Sequence, residues 1–170
     1  MGRSTSTRYV VIGSLGLHRE FTAMQQQADK IVQTLKARSL RVTPQRFAVY
    51  ANLLSRCDHP TAEDILQDLN QNAPTSSQAT VYSSLQALRD VGLIREVLLE
   101  EGVCRYDANV EPHHHFRCKS CGTIKDIPWQ QIGGVDLTNL NSAWQIDGYE
   151  ITVRGVCQYC AAGSNANSAE

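Results

Sequence analysis

The sequence predicts an α+β protein in two parts: a helical first half closed by a short hairpin, then a β-rich second half organised around metal ligands. Three observations carry this expectation. Helix-start signals recur at Thr43-Pro44, Thr61-Ala-Glu-Asp64 and Ser77. Two β-rich runs, 93–99 and 103–107, then flank Glu101-Gly102. Beyond them His113-His114-His115 leads into Cys118-Lys-Ser-Cys121, which is answered by Cys157-Gln-Tyr-Cys160.

Residues 24–40 read as an amphipathic helix with Ala28, Ile31, Val32 and Leu35 on one face. Thr43 is placed to cap the second helix and Pro44 to begin it, with Phe47, Val49, Tyr50, Leu53 and Leu54 following. Thr61 with Asp64 spells a capping box ahead of Ile65, Leu66 and Leu69. Ser77 opens a fourth helix, from Gln78 to about Val91, stopped by Gly92. On its wheel Val81, Leu85 and Leu88 point inward, while Ala79, Tyr82, Ser83 and Gln86 point outward. That outer face has no charge. A helix open to water ordinarily carries Glu and Lys there, whereas hydroxyl, amide and small groups suit base edges and thymine methyls. Helices followed by a hairpin make a winged-helix variant of helix-turn-helix, whose last helix enters the major groove.

The 170 residues allow one medium domain or two small ones. Net charge is −1, but it is unevenly spread. Between Met24 and Arg56 six basic residues face the single acid Asp29, whereas from Val110 onward four basic residues face six acids. A basic first half and an acidic second half suit different partners. No apolar run reaches membrane-spanning length. The apolar stretch near the start is interrupted by Gly13, Ser14 and Gly16 and does not read as a signal peptide. Six cysteines, four of them in C-x-x-C pairs, fit a reducing cytoplasm in which zinc holds the thiolates; Cys57 and Cys104 read as ordinary thiols.

Residues 1–23 are an N-terminal extension, expected to be disordered. The winged helix spans 24–107, a hinge 108–112 and the second domain 113–160. In that domain strands are expected at 113–118, 123–127 and 146–156, with one helix between Trp129 and Trp144. The polar tail 161–170 is expected to be disordered.

Cys118, Cys121, Cys157 and Cys160 offer four soft thiolates, which fill a tetrahedral zinc shell and leave no position for water. Such a site is structural. His113 and His115 share one strand face while His114 points away. Asp107 and Asp126 lie near enough in sequence to complete a mixed N/O shell suited to Fe(II) or Mn(II), although imidazole also accepts zinc. No nucleophile constellation accompanies these groups, so the chain does not read as an enzyme.

Arg41-Val-Thr-Pro-Gln-Arg46, His59-Pro-Thr-Ala-Glu-Asp64, Ala79-Thr-Val-Tyr82, Gly92-Leu-Ile, Arg105-Tyr-Asp107, the histidine run and Gly155-Val-Cys157-Gln-Tyr-Cys160 occur in an order that resembles the ferric-uptake-regulator (Fur) family, most closely its peroxide-responsive repressors. The resemblance runs from about Met24 to Cys160. It implies a cytoplasmic homodimer, or a higher assembly, that represses transcription by binding A/T-rich palindromic double-stranded DNA. It places Tyr82, Ser83, Gln86 and Thr80 on the bases and Arg41, Arg46 and Lys36 on phosphates. It makes 113–160 a dimerisation domain with a four-cysteine zinc, and assigns Asp107, His113, His115 and Asp126 to a regulatory ion at the hinge. Aspartate at 126, where relatives can carry glutamate, looks like the peroxide-sensing branch. One position departs. The family's further histidine, directly after Pro-Gln-Arg, is Phe47 here and cannot ligate. His59 reads as a structural polar contact, which leaves His18, Glu111 or Cys104 as substitutes. Tyr149 stands where some relatives carry a histidine for a third metal.

Overall fold

A computed structural model describes residues 14–100, 102–140 and 143–165. Two compact units emerge, Met1–Val42 and Thr43–Glu170. The second unit thus runs through the 108–112 segment expected to be a hinge, because hydrogen bonds described below tie the hairpin to the strands beyond it.

In the first unit, helix α1 spans Ser14–Ala37, starting ten residues before the expected Met24, so residues 14–23 are helical rather than a disordered arm. Residues 1–13 lie outside the described residues, as does the side chain of His18. Its end is a Schellman motif: Ser39 takes φ 58°, with Ser39 N–H donating to Lys36 O at 2.9 Å and Leu40 N–H to Leu35 O at 2.9 Å.

In the second unit, Thr43 caps α2 (Pro44–Leu54), its hydroxyl accepting from Arg46 N–H. The capping box forms as the spacing predicts on α3 (Ala62–Leu69): Asp64 N–H donates to Thr61 Oγ1 at 3.1 Å, and Thr61 N–H to Asp64 Oδ2 at 2.9 Å. Each such cap satisfies donors that a helix start would otherwise orphan, worth about 1 kcal/mol. Ser77 caps α4 (Gln78–Asp90), and Gly92, at φ 69°, closes it with a second Schellman pair, Leu93 N–H to Leu88 O at 3.0 Å and Gly92 N–H to Arg89 O at 2.8 Å. Val49, Tyr50, Leu53, Ile65, Val81, Leu85 and Leu88 are buried where the three helices converge. Asp68 joins α3 to α2 by accepting from Asn52 Nδ2 and Arg56.

Strands β1 (Arg95–Glu100) and β2 (Val103–Asp107) form an antiparallel hairpin that pairs Arg95 with Asp107, turning near Gly102 at φ 74°. Tyr106 N–H donates to Pro60 O at 2.9 Å, which docks β2 against the start of α3. The other sheet has the order β4-β3-β5, with β3 (His113–Cys118) antiparallel to β4 (Ile124–Pro128) and parallel to β5 (Thr152–Gly155). Strand β5 is shorter than the expected 146–156, since residues 146–151 carry no ladder. Between Trp129 and Trp144 the only described helix is α5 (Trp129–Ile132). Helix α6 (Gln158–Asn165) extends into the tail expected to be disordered; residues 166–170 lie outside the described set.

Candidate metal centres

The thiol cluster is built by a tight turn after β3. Gly122 N–H donates to Cys118 O at 3.0 Å with Gly122 at φ 73°, bringing Cys121 back over Cys118, while Lys119 N–H donates to Gly155 O at 2.7 Å and brings the end of β5 alongside. The four sulfurs lie within 4.8 Å of one another. Backbone N–H groups of Cys121 and Cys157, the latter 3.3 Å from Sγ, draw the Cys118 thiol down to about 6. The Thr123 hydroxyl, 3.1 Å away, lowers Cys121. Cys160, beside Cys121 and Cys157, is pushed up to about 12. Some thiols are therefore primed to ionise while a neighbour resists, because thiolates this close repel one another. A divalent cation removes that conflict, and soft sulfur favours zinc.

The second cluster gathers His59, Asp107, His113, His115 and Asp126, one ligand atom from each lying within 4.8 Å of the others. Strand alternation puts His113 and His115 on one face and sends His114 to the other, against Trp129 and Tyr149 at centroid distances of 4.5 Å and 5.8 Å. The antiparallel register sets Asp126 opposite His115. Asn109 organises both aspartates: its N–H donates to Asp107 Oδ1 at 2.7 Å and its Nδ2 to Asp126 Oδ2 at 3.1 Å. The remaining oxygens face the imidazoles, Asp107 Oδ2 at 3.2 Å from His113 Nε2 and Asp126 Oδ1 at 3.0 Å from His59 Nε2. Burial pushes the Asp107 carboxyl up, but hydrogen bonds from His59, Asn109 N–H and Arg95 outweigh it and bring the group to about 2, so it stays ionised.

The imidazole tautomers decide what this cluster can hold. His113 Nδ1 lies 2.8 Å from Glu111 O, and a carbonyl only accepts, so Nδ1 carries the proton. His115 Nδ1 lies 2.8 Å from Glu150 Oε1 and donates in the same way. With the proton on Nδ1, the lone pair of a neutral ring falls on Nε2; the two Nε2 atoms face each other across 3.1 Å, and His59 Nε2 stands 3.1 Å from His115 Nε2. Lone pairs at that spacing call for a cation or a hydrogen-bond donor among them. Outer-shell carboxylate and carbonyl partners on Nδ1 are also how metal-ligating histidines are oriented. Burial further lowers the His115 pKa, keeping it neutral and able to ligate. The donor set of three imidazoles and two carboxylates fits a divalent ion of intermediate hardness. A cavity of about 220 Å³, lined by His59, Tyr106, Asp107, Asn109 and Asp126 among others, adjoins the cluster.

His59 joins the cluster, although its sequence context did not assign it there. Read as a structural polar contact, it is 3% exposed and stands inside the cluster, whereas Phe47 on α2 does not, and neither Glu111 nor Cys104 contributes a side-chain ligand atom. His59 takes φ 53°, a left-handed conformation uncommon for a side-chain-bearing residue and further disfavoured before proline. Two bonds hold the turn: Arg105 Nη1 donates to His59 O at 3.1 Å, and Pro60 O receives Tyr106 N–H. The pre-proline position at a helix start was a visible signal of unusual backbone; its direction was not.

On α4, Ala79, Tyr82, Ser83 and Gln86 are exposed, as the wheel predicts, and Thr80 is half-buried. The Tyr82 hydroxyl donates to Glu63 Oε1 at 2.8 Å, which fixes the ring on the outer face, and Ser83 Oγ turns back to Thr80 O. Arg46, half-buried on α2, belongs to the same unit; Lys36 and Arg41 are exposed in the first unit.

Comparison with known proteins agrees with this architecture. The chain is 30% identical over 142 residues to a peroxide-responsive repressor, PerR, of Staphylococcus aureus, a match covering 83% of this chain and 96% of the relative. The Helicobacter pylori ferric uptake regulator superposes with a TM-score of 0.61 at 21% identity, covering 79% of this chain and 93% of its own. A zinc uptake regulator solved with zinc and DNA gives 0.61 at 20% identity over 83% of this chain and 97% of its own. The model of the ferric uptake regulator family matches residues 37–154. With helices, hairpin, mixed sheet and four-cysteine cluster in that order, the chain belongs to the ferric uptake regulator family.

Proposed function

We propose that this protein is a homodimeric, metal-dependent transcriptional repressor that binds A/T-rich palindromic DNA, and that its regulatory ion is held by His59, Asp107, His113, His115 and Asp126. The observation that carries the reading is the convergence of three imidazole Nε2 atoms, two of them on rings whose Nδ1 faces a hydrogen-bond acceptor. Fe(II) or Mn(II) suits the mixed shell, zinc is the harder-to-exclude competitor, and the four thiolates keep a separate structural zinc.

The residues explain how such an ion reports. His59 and Asp107 belong to the helix-and-hairpin part, whereas His113, His115 and Asp126 belong to the three-stranded sheet. Ligation joins the two, and it favours the DNA-competent arrangement only by the difference in ion affinity between arrangements. The uncharged face of α4, with Tyr82, Ser83, Gln86 and Thr80, then meets base edges. Arg46, Arg41 and Lys36 neutralise phosphates, so affinity falls as salt rises. Fe(II), when bound, supplies a reductant for peroxide next to oxidisable imidazoles. The 30% identity to peroxide-responsive repressors supports that signal over simple metal sensing.

The test is duplex binding at fixed salt by protein retaining its thiolate zinc, with and without Mn(II). Binding that appears with the ion and vanishes with a chelator is expected; equal affinity in both states refutes the reading. Iron-loaded protein treated with dilute peroxide should gain an oxygen atom on His59, His113 or His115 by peptide mass spectrometry. An unmodified set with unchanged DNA binding removes peroxide as the signal.

A further inference from the structure

Arg95 is not among the residues that either the motif pattern or the donor set assigns to the second site, yet it reaches into it. The hairpin register sets Arg95 directly opposite Asp107, so its guanidinium extends over the cluster. Nη2 lies 2.6 Å from His113 Nε2 and 3.3 Å from His115 Nε2, Nε lies 3.2 Å from Asp107 Oδ2, and Nη1 lies 3.3 Å from Glu150 Oε2. Three of these four acceptors are atoms that a regulatory ion would use, and the fourth belongs to the carboxylate that orients His115.

Resting on the regulatory-ion reading above, we propose that Arg95 is a built-in cationic competitor of that ion: it hydrogen-bonds the same nitrogen and oxygen atoms, and the ion enters by displacing it. The chemistry is symmetrical in one respect and opposed in another. A guanidinium donates hydrogen bonds to imidazole lone pairs and carboxylates, so it stabilises the converged cluster as a cation would. It cannot remain there with a divalent ion, because a lone pair engaged by one is unavailable to the other and like charges at shared ligands repel. Arg95 is only a quarter exposed by side chain, and the carboxylates Asp107, Asp126 and Glu150 outnumber it. The competitor therefore weakens affinity without abolishing it, which sets the free-metal concentration at which the site fills. Because Arg95 belongs to β1, exchange of arginine for ion also frees one point at which the hairpin grips the sheet.

The experiment compares wild-type protein, Arg95→Gln and Arg95→Lys, each with the thiolate zinc retained, by chelator-competition titration with Zn(II) as a diamagnetic probe. Arg95→Gln keeps donors but loses the charge; it is expected to bind the second ion at least tenfold more tightly, about 1.4 kcal/mol, with Arg95→Lys close to wild type. Equal or weaker binding by Arg95→Gln overturns the proposal and makes Arg95 a residue that positions Asp107 and Glu150. Wild-type protein that takes up no second ion at all refutes the regulatory site itself, a separate failure. If Arg95→Gln does not fold, wild-type protein decides alone. Phenylglyoxal modification of Arg95, followed by peptide mass spectrometry, should accelerate several-fold on Zn(II) loading, and an unchanged rate overturns displacement.

Discussion

Replacing His59 separates its two burdens, ligation and backbone strain. Both His59→Ala and His59→Gly delete one of three converging Nε2 atoms. Loss of an outer-shell partner alone costs 10–100-fold in metal affinity, so loss of the ligand should cost at least about 30-fold, or about 2 kcal/mol. The two variants differ in metal-free stability. At φ 53° a residue bearing a Cβ is disfavoured by roughly 1–2 kcal/mol. Glycine escapes that cost but loses about 0.5–1 kcal/mol in chain entropy. His59→Gly should thus be more stable than His59→Ala by about 0.5–1 kcal/mol, from the like ends of those two ranges. Chelator-competition titration with Mn(II) reads the first effect, and urea unfolding of metal-free second-site protein reads the second. Affinity within twofold of wild type in both variants would refute ligation by His59. An alanine variant more stable than the glycine one would refute the strain.

Glu150→Ala frees His115 Nδ1 and should weaken the second ion 10–100-fold, which the same titration measures. Asp107 has a folded-state pKa of about 2 against an ordinary 3.8, so its ionisation contributes about 2 kcal/mol of stability, fully present above 3.8 and lost as pH falls towards 2. Asp107→Asn should remove that contribution at neutral pH and flatten the acid limb of a stability–pH curve; an unchanged limb would contradict it. Cys157→Ser should release zinc, detected with a chromogenic chelator, and lower the unfolding midpoint, since structural zinc contributes folding energy directly. Tyr82→Ala removes an exposed ring and its Glu63 bond, so specific duplex binding should fall while thermal unfolding stays nearly constant. Retained operator affinity would remove α4 from base reading.

The elements that could be read from sequence are those written in local signals. Thr43, Thr61 and Ser77 each act within three residues of themselves, and the strand alternation that pairs His113 with His115 is equally short-ranged. The thiol cluster was readable because each C-x-x-C spacing already brings its two sulfurs together. His59 was not, because its place depends on a left-handed turn held by Arg105 and Tyr106, some 46 residues away along the chain. Arg95 was missed for the same reason: its neighbour Asp107 is set by hairpin register, and its other partners come from β3 and from Glu150. The early start of α1 and the shortness of β5 were not signalled by the boundaries expected from sequence.

Strand β3 carries both clusters, imidazoles at one end and Cys118 at the other, with only two residues between His115 and that thiol. Their separation is therefore a fixed multiple of the pleat, and a single inserted or deleted residue between them would turn one set to the opposite face. Damage to the sulfur end is equally shared. Oxidising two of the thiols to a disulfide would take ligands from any ion that ties the turn after β3 to the segment after β5, and so slacken the rail on which the imidazoles are mounted.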